Sequence, residues 1–106
     1  MALTETVIEK LRGLADRQEE LTRLLSDPAV TGNRNQFVEF SREYSELEPL
    51  VTHYQRYEKL ISQLEDASAL TSDADREIQA LAADDIAVLR VEIDDVGRAI
   101  QTLLLP

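Results

Sequence analysis

Eight apolar residues between Phe37 and Leu64 recur at spacings of 3, 4, 3, 4, 3, 7 and 3, and this seam constrains the fold more than any other feature. They are Phe37, Phe40, Tyr44, Leu47, Val51, Tyr54, Ile61 and Leu64, with Glu58 at the one skipped position. Such a stripe, held for four heptads, puts the apolar side chains on one helical face that other helices must cover. All five aromatic residues (Phe37, Phe40, Tyr44, Tyr54 and Tyr57) lie in this segment, which makes it the expected spine of the core. Pro49 interrupts it. The heptad keeps its phase on both sides of the proline, which predicts one continuous helix kinked near Pro49.

Two further segments carry matching stripes. The first, expected from roughly Ala2 to Ser26, has Leu3, Val7, Leu11, Leu14, Leu21 and Leu25 on one face, with Gln18 in the missing place. Thr4 is followed three residues later by Val7, so no capping box marks the start. Ser26-Asp27-Pro28 closes the segment, because the residue before a proline is pushed out of the α region. Gly13 weakens this helix by about 1 kcal/mol relative to Ala. A turn of about eight residues follows, punctuated by Pro28, Gly32 and Asn33. A second break is expected over Ala67 to Asp73, with Thr71-Ser72-Asp73 offering N-caps. The last segment carries Ile78, Ala82, Ile86, Leu89, Ile93, Val96, Ile100 and Leu103, in heptad phase from Ile86 onward. Asp73, Asp75 and Glu77 suit the positive end of its dipole, while Val88, Val91 and Gly97 lower its helix propensity.

Short connections between long helices make neighbours antiparallel. The expected fold is therefore all-α: an extended, coiled-coil-like antiparallel three-helix bundle, up-down-up, with helices of roughly 25 to 35 residues and a longest span of about 50 Å. With 106 residues there is no room for two independent cores, so residues 1–106 read as a single domain. Its core should be one or two side chains thick, with the seam loosening at Gln18 and Glu58. No βα alternation and no Gly-rich turn occurs, which removes the nucleotide-binding α/β folds. The triple leucine before Pro106 reads as a cut at a domain boundary.

Charge narrows the function classes. Eleven Lys and Arg stand against 21 Asp and Glu, a formal net charge of −10. Phosphate would repel such a chain, which argues against direct nucleic-acid binding and against an anionic membrane surface. No Cys is present, so disulfides, thiolate nucleophiles and Cys-based zinc sites are all removed. Met1 to Lys10 carries Glu5 and Glu9 and no unbroken apolar run, unlike a signal or transit peptide. A soluble, cytoplasmic location is the default expectation.

Residues with chemistry are sparse. His53 is the only histidine, and position 50 is Leu, so the Glu-x-x-His pair of di-iron bundles is absent. Its plain reading is a partly exposed helical residue. Ser41 and Ser45 lie in the same segment, with nothing to orient either as a nucleophile. Asp84-Asp85, Glu92 and Asp94-Asp95 make the last segment the most acidic: residues 71–106 hold three basic and eight acidic residues, net −5. Adjacent carboxylates point to different helix faces and do not converge on one ion. A solvated outer face is the plain reading of this cluster, and a contact surface for a basic protein partner is the functional one. Lys10, Arg12, Arg17 and Arg23 are interleaved with Glu9, Asp16, Glu19 and Glu20, which favours pairing along the helix over phosphate contact. No catalytic, cofactor-binding or metal-binding residue emerges, and the chain does not read as an enzyme.

Several strings resemble the start of bacterial class I peptide chain release factors. They are Phe40-Ser41-Arg42-Glu43-Tyr44-Ser45-Glu46-Leu47 followed by Pro49-Leu50-Val51 and Tyr54, the opening Val7-Ile8-Glu9-Lys10-Leu11, the turn Leu25-Ser26-Asp27-Pro28, and the ending Leu103-Leu104-Leu105-Pro106. The resemblance spans all 106 residues in helix order and turn position. It implies the N-terminal helical domain of such a factor, and the Leu-Leu-Leu-Pro exit implies the type that ends translation at UAA and UAG codons. The family's Gly-Gly-Gln motif for peptidyl-tRNA hydrolysis is absent, since Gly13, Gly32 and Gly97 stand far apart. So is its codon-reading Pro-x-Thr, because Pro28 precedes Ala29-Val30 and Pro49 precedes Leu50-Val51. No catalytic or codon-reading role transfers to any position here. The family's partners for this domain would be the ribosome, through stalk-base proteins, and the release-factor GTPase, met as a monomer. The competing expectation, of a different class, is a free-standing acidic coiled-coil scaffold or adaptor that uses its heptads between chains.

Overall fold

The computed structural model describes residues 3–106, so Ala2, the expected start of the first segment, lies outside the described residues. Among the described residues the chain is all-α, with helices α1 (Glu5–Leu24), α2 (Pro28–Thr31), α3 (Arg34–Leu70) and α4 (Arg76–Leu103). Two compact units divide it, Leu3–Thr52 and His53–Pro106, and α3 contributes to each. That helix runs unbroken through Pro49 for 37 residues, as the uninterrupted heptad phase predicts.

In the unit Leu3–Thr52, Thr4 is the N-cap that the sequence left unmarked. Its backbone is extended and its Oγ1 accepts a hydrogen bond from the Val7 N–H at 3.3 Å. One half of a capping box is enough, because it satisfies an N–H that no helical carbonyl can reach. The stripe of α1 is as expected: Leu3, Leu11 and Leu21 are buried, and Val7, Leu14, Gln18 and Leu25 are half-buried along the same face. The expected irregular turn instead contains α2. The Asp27 carboxylate accepts from the Ala29 N–H at 2.9 Å, and Pro28 takes the first helical position, where its missing N–H costs nothing. This single turn buries Val30. Asn33 Oδ1 then accepts from the Gln36 N–H at 3.2 Å and starts α3.

Arg17 and Glu43 are bonded across 26 residues of sequence, a pair centred on Val30, which sets α1 and the first part of α3 side by side and antiparallel. Phe40, Tyr44 and Leu47 are half-buried, and Leu50 and Val51 are buried. Phe37 departs from the expected seam. It lies one turn into α3, near the connection from α2, and remains 42% exposed.

The unit His53–Pro106 contains two corrections. The break expected over Ala67 to Asp73 is shorter, because α3 continues to Leu70 and buries Ala67 within it. Nor does Thr71-Ser72-Asp73 cap α4; Asp75 does, accepting from the Glu77 N–H at 2.8 Å while the Asp73 carboxylate accepts from the Asp75 N–H at 2.8 Å. Two successive carboxylates thus hold the extended backbone that an N-cap needs. The seam also moves by one residue near Glu58. An unpaired carboxylate resists burial, so Glu58 is exposed and Tyr57 and Leu60 go inside beside Tyr54. In α4, Ala82, Ile93, Val96 and Ile100 are buried and Ile86 and Leu89 half-buried, in the expected heptad phase. Its terminal seam residues, Ile78 and Leu103, are exposed. The Arg56–Glu92 pair, 36 residues apart and centred on Ala74, makes this second helix pair antiparallel as well.

Two stability predictions follow from these environments. Leu21 and Ile100 are fully enclosed, so either change to Ala should cost roughly 2–5 kcal/mol in urea unfolding, whereas exposed Phe37→Ala should cost under about 1 kcal/mol. At Gly13 a Cβ would meet nothing within 4 Å, so Gly13→Ala should raise stability by about 1 kcal/mol. A loss on that change would mean that another group closes over Gly13.

Candidate docking face

Among the described residues no polar or charged residue is buried, and no group of three or more His, Asp or Glu is placed to hold a metal ion. General acid–base chemistry depends on carboxyls and imidazoles set apart by burial. Here His53 is half-buried in α3, Ser41 is half-buried and Ser45 is exposed. Asp84, Asp85 and Asp95 are exposed on α4, while Glu92 and Asp94 are half-buried. The Glu92 carboxylate accepts from Arg56 at 2.8 Å. These groups are spread along two helices. No described helix is long and apolar enough to cross a membrane.

The most organised polar group is Arg17. Its Nε and Nη2 donate to Glu43 Oε2 at 2.5 Å and Oε1 at 2.8 Å, a two-pronged bond. Its Nη1 donates to Glu20, and its guanidinium carbon lies 5.8 Å from the centre of the Phe40 ring. The charge pattern predicts i,i+4 pairing along α1, and Arg17 instead pairs three residues on, with Glu20. The stronger bond, across to α3, has no signature in local spacing. It holds the Glu43 carboxyl below the usual carboxylate range and pushes the Arg17 pKa further up. Both side chains keep about a third of their surface in water. The pair therefore sets register more than it adds stability.

The second organised feature is the outer face of α4. At 100° per residue, Leu81, Val88 and Val91 fall within an arc of about 80°, on the side of the helix away from Ala82, Ile93 and Ile100. All three are largely exposed, at 64%, 58% and 61%. Glu77, Asp84 and Asp95 share this arc, and Asp85 and Glu92 flank it. Toward the end of α3 the face opens into a groove of about 420 Å³, lined by Ala67, Leu70, Val88 and Leu89 and by the carboxylates of Asp66 and Asp85. The acidic cluster read from sequence is therefore present, but the apolar stripe running through it was missed. Its signal was available. Leu81, Val88 and Val91 sit off the seam at spacings of 7 and 3, and the two valines were read only as weak helix formers.

Comparison with known proteins adds an independent finding. Residues 14–106 match the PCRF domain family. The chain is 36% identical over 104 residues to peptide chain release factor 1 of Anaeromyxobacter sp. (strain Fw109-5), an alignment covering 98% of the chain and 28% of that relative. The same figures hold for peptide chain release factor 1 of Anaeromyxobacter dehalogenans (strain 2CP-C). The chain thus spans 28% of the length of these curated relatives. No solved structure matches.

The Arg17–Glu43 bond generates a pH-dependent expectation. Because the folded pKa of Glu43 is depressed, its share of stability is complete above its unfolded value of about 4.3 and disappears as pH falls through the folded value. The Arg17 pKa is raised, so its share is complete at every pH below its unfolded value and adds no slope in the acid range. Glu43→Gln should therefore lower the urea midpoint at pH 7, and the gap from the parent chain should close in acid. A gap that stays constant down to pH ~3 would mean that the carboxylate's charge does not matter to the fold.

Proposed function

Since the chain belongs to the PCRF-domain family, we propose that it is the N-terminal docking domain of a translation-termination factor of the release factor 1 type. The observation that carries this reading is the similarity itself, which runs through 98% of the chain and includes both helix pairs and the turns between them. In this reading residues 1–106 act as one domain of a longer polypeptide that directs peptide release at UAA and UAG codons in the cytoplasm. The domain itself hydrolyses nothing, since it has no two adjacent glycines and hence no Gly-Gly-Gln. Its task is to meet ribosomal stalk-base proteins and the release-factor GTPase, as a monomer. The net charge of −10 supports protein partners over rRNA, because a surface of that sign is repelled by phosphate and attracted to basic proteins.

The test is peptide release from purified ribosomes stalled at UAA, UAG or UGA, using the natural polypeptide that carries this sequence. Release at UAA and UAG but not at UGA is expected. Removing residues 1–106 should slow release at limiting factor concentration while leaving codon choice intact. Absence of release at every stop codon would overturn the termination reading. Unchanged kinetics on removal of the domain would overturn its docking role.

A further inference from the structure

The outer face of α4 brings three properties together. It is apolar along one stripe, since Leu81, Val88 and Val91 stand in water at about 60% exposure each. Exposed large apolar groups arranged in line mark contact sites more often than isolated ones do. It is also acidic, with Glu77, Asp84 and Asp95 interleaved along the same arc and Asp85 at its edge. Among them only Asp95 meets a cation among the described residues, Arg98 at 3.7 Å, and both of those side chains are two-thirds exposed. Elsewhere the cross-helix carboxylates are already matched, Glu43 by Arg17 and Glu92 by Arg56. The face also has a defined length. From Leu81 to Val91 it covers about 15 Å of helix axis, close to three turns, and the Leu70 groove lies beside it at Val88.

We propose that this face is the seat of a basic amphipathic α-helix from a partner protein. Such a helix would lay Leu- or Ile-type side chains along Leu81, Val88 and Val91 and into the groove beside Leu70. Its Lys and Arg would meet the carboxylates of Asp84, Asp85 and Glu77. Helix-in-groove recognition uses apolar anchors at spacings of three, four and seven, and two of these, seven and three, are present here. Charge decides the choice of occupant. A second copy of this chain would bring another acidic face against the first, and like charges across a contact are penalised. The proposal deepens the docking reading above and rests on it for the cellular setting, but its test involves no ribosome, so the two can fail separately.

The probe is a synthetic amphipathic helix of about five turns with Leu on one face and Lys on the other, set against the same peptide with Glu in place of each Lys. Binding to the 106-residue chain is followed by fluorescence anisotropy of the labelled peptide. The Lys peptide should bind at least ~tenfold more tightly than the Glu peptide, and the preference should shrink as salt is raised. Val88→Gln with Val91→Gln, which changes no charge and touches only exposed positions, should weaken it by ~tenfold while leaving the helical circular dichroism unchanged. Asp84→Asn with Asp85→Asn should also weaken it and flatten the salt dependence. Glu39→Gln with Glu46→Gln removes as much charge from the other unit and should leave the affinity as it was. Equal affinity for the two peptides, indifference to the valine changes, or equal weakening by the Glu39 and Glu46 pair would each overturn the proposal. So would self-association of the chain that the valine changes abolish, which would assign the face to a second copy.

Discussion

A helix of 37 residues with one apolar face cannot remain alone in water, and the need to cover α3 determines the partners of both helix pairs. Aromatic and aliphatic groups along it are too regularly spaced for a strand and too far extended for one neighbour. Nearby sequence supplies the cover. Each end of α3 is joined to another amphipathic helix by a connection too short to permit anything but an antiparallel return. Pro49 does not interrupt this. A proline removes one backbone hydrogen bond and crowds the preceding turn, a local cost of about 3 kcal/mol in an isolated helix. Burial of Leu50, Val51 and Tyr54 directly after it opposes that cost.

Polar groups act at the edges of this scheme. Thr4, Asp27, Asn33, Asp73 and Asp75 satisfy the backbone at helix starts, and Arg17 and Arg56 each reach across to a carboxylate on the neighbouring helix. None of these groups is buried, so they specify where helices begin and how they align, while apolar contact supplies most of the free energy. The same division leaves no polar or charged residue buried among the described residues. The acidic, partly apolar face of α4 stays in water at Leu81, Val88 and Val91.

Recognition from strings of residues and the structural reading agree for a physical reason. The Ser41-Arg42-Glu43-Tyr44 stretch that resembles the release-factor family contains Glu43, which fixes the register of α1 against α3, and the half-buried Tyr44. The turn Leu25-Ser26-Asp27-Pro28 contains the cap and first residue of α2. The candidate site was less legible. The heptad of α4 through Ile86, Leu89, Ile93 and Val96 leaves Val88 and Val91 legible only as weak helix formers and gives Leu81 no role. Leu81, Val88 and Val91 acquire a meaning of their own only when their exposure is known.

By itself the sequence determined the helical class, the three long segments, the continuity through Pro49 and the inward stripe of α1. Each of these depends on spacing within a single helix, where 3.6 residues per turn converts order into direction. Tertiary structure decided the rest. It moved the seam from Glu58 to Tyr57, because a charge resists burial whatever the heptad count requires. It carried α3 past Ala67, because burial there outweighed the signals for a break. It also joined Arg17 to Glu43 and left Val88 and Val91 in water, since which faces are covered depends on what lies across from them and not on the neighbours in sequence.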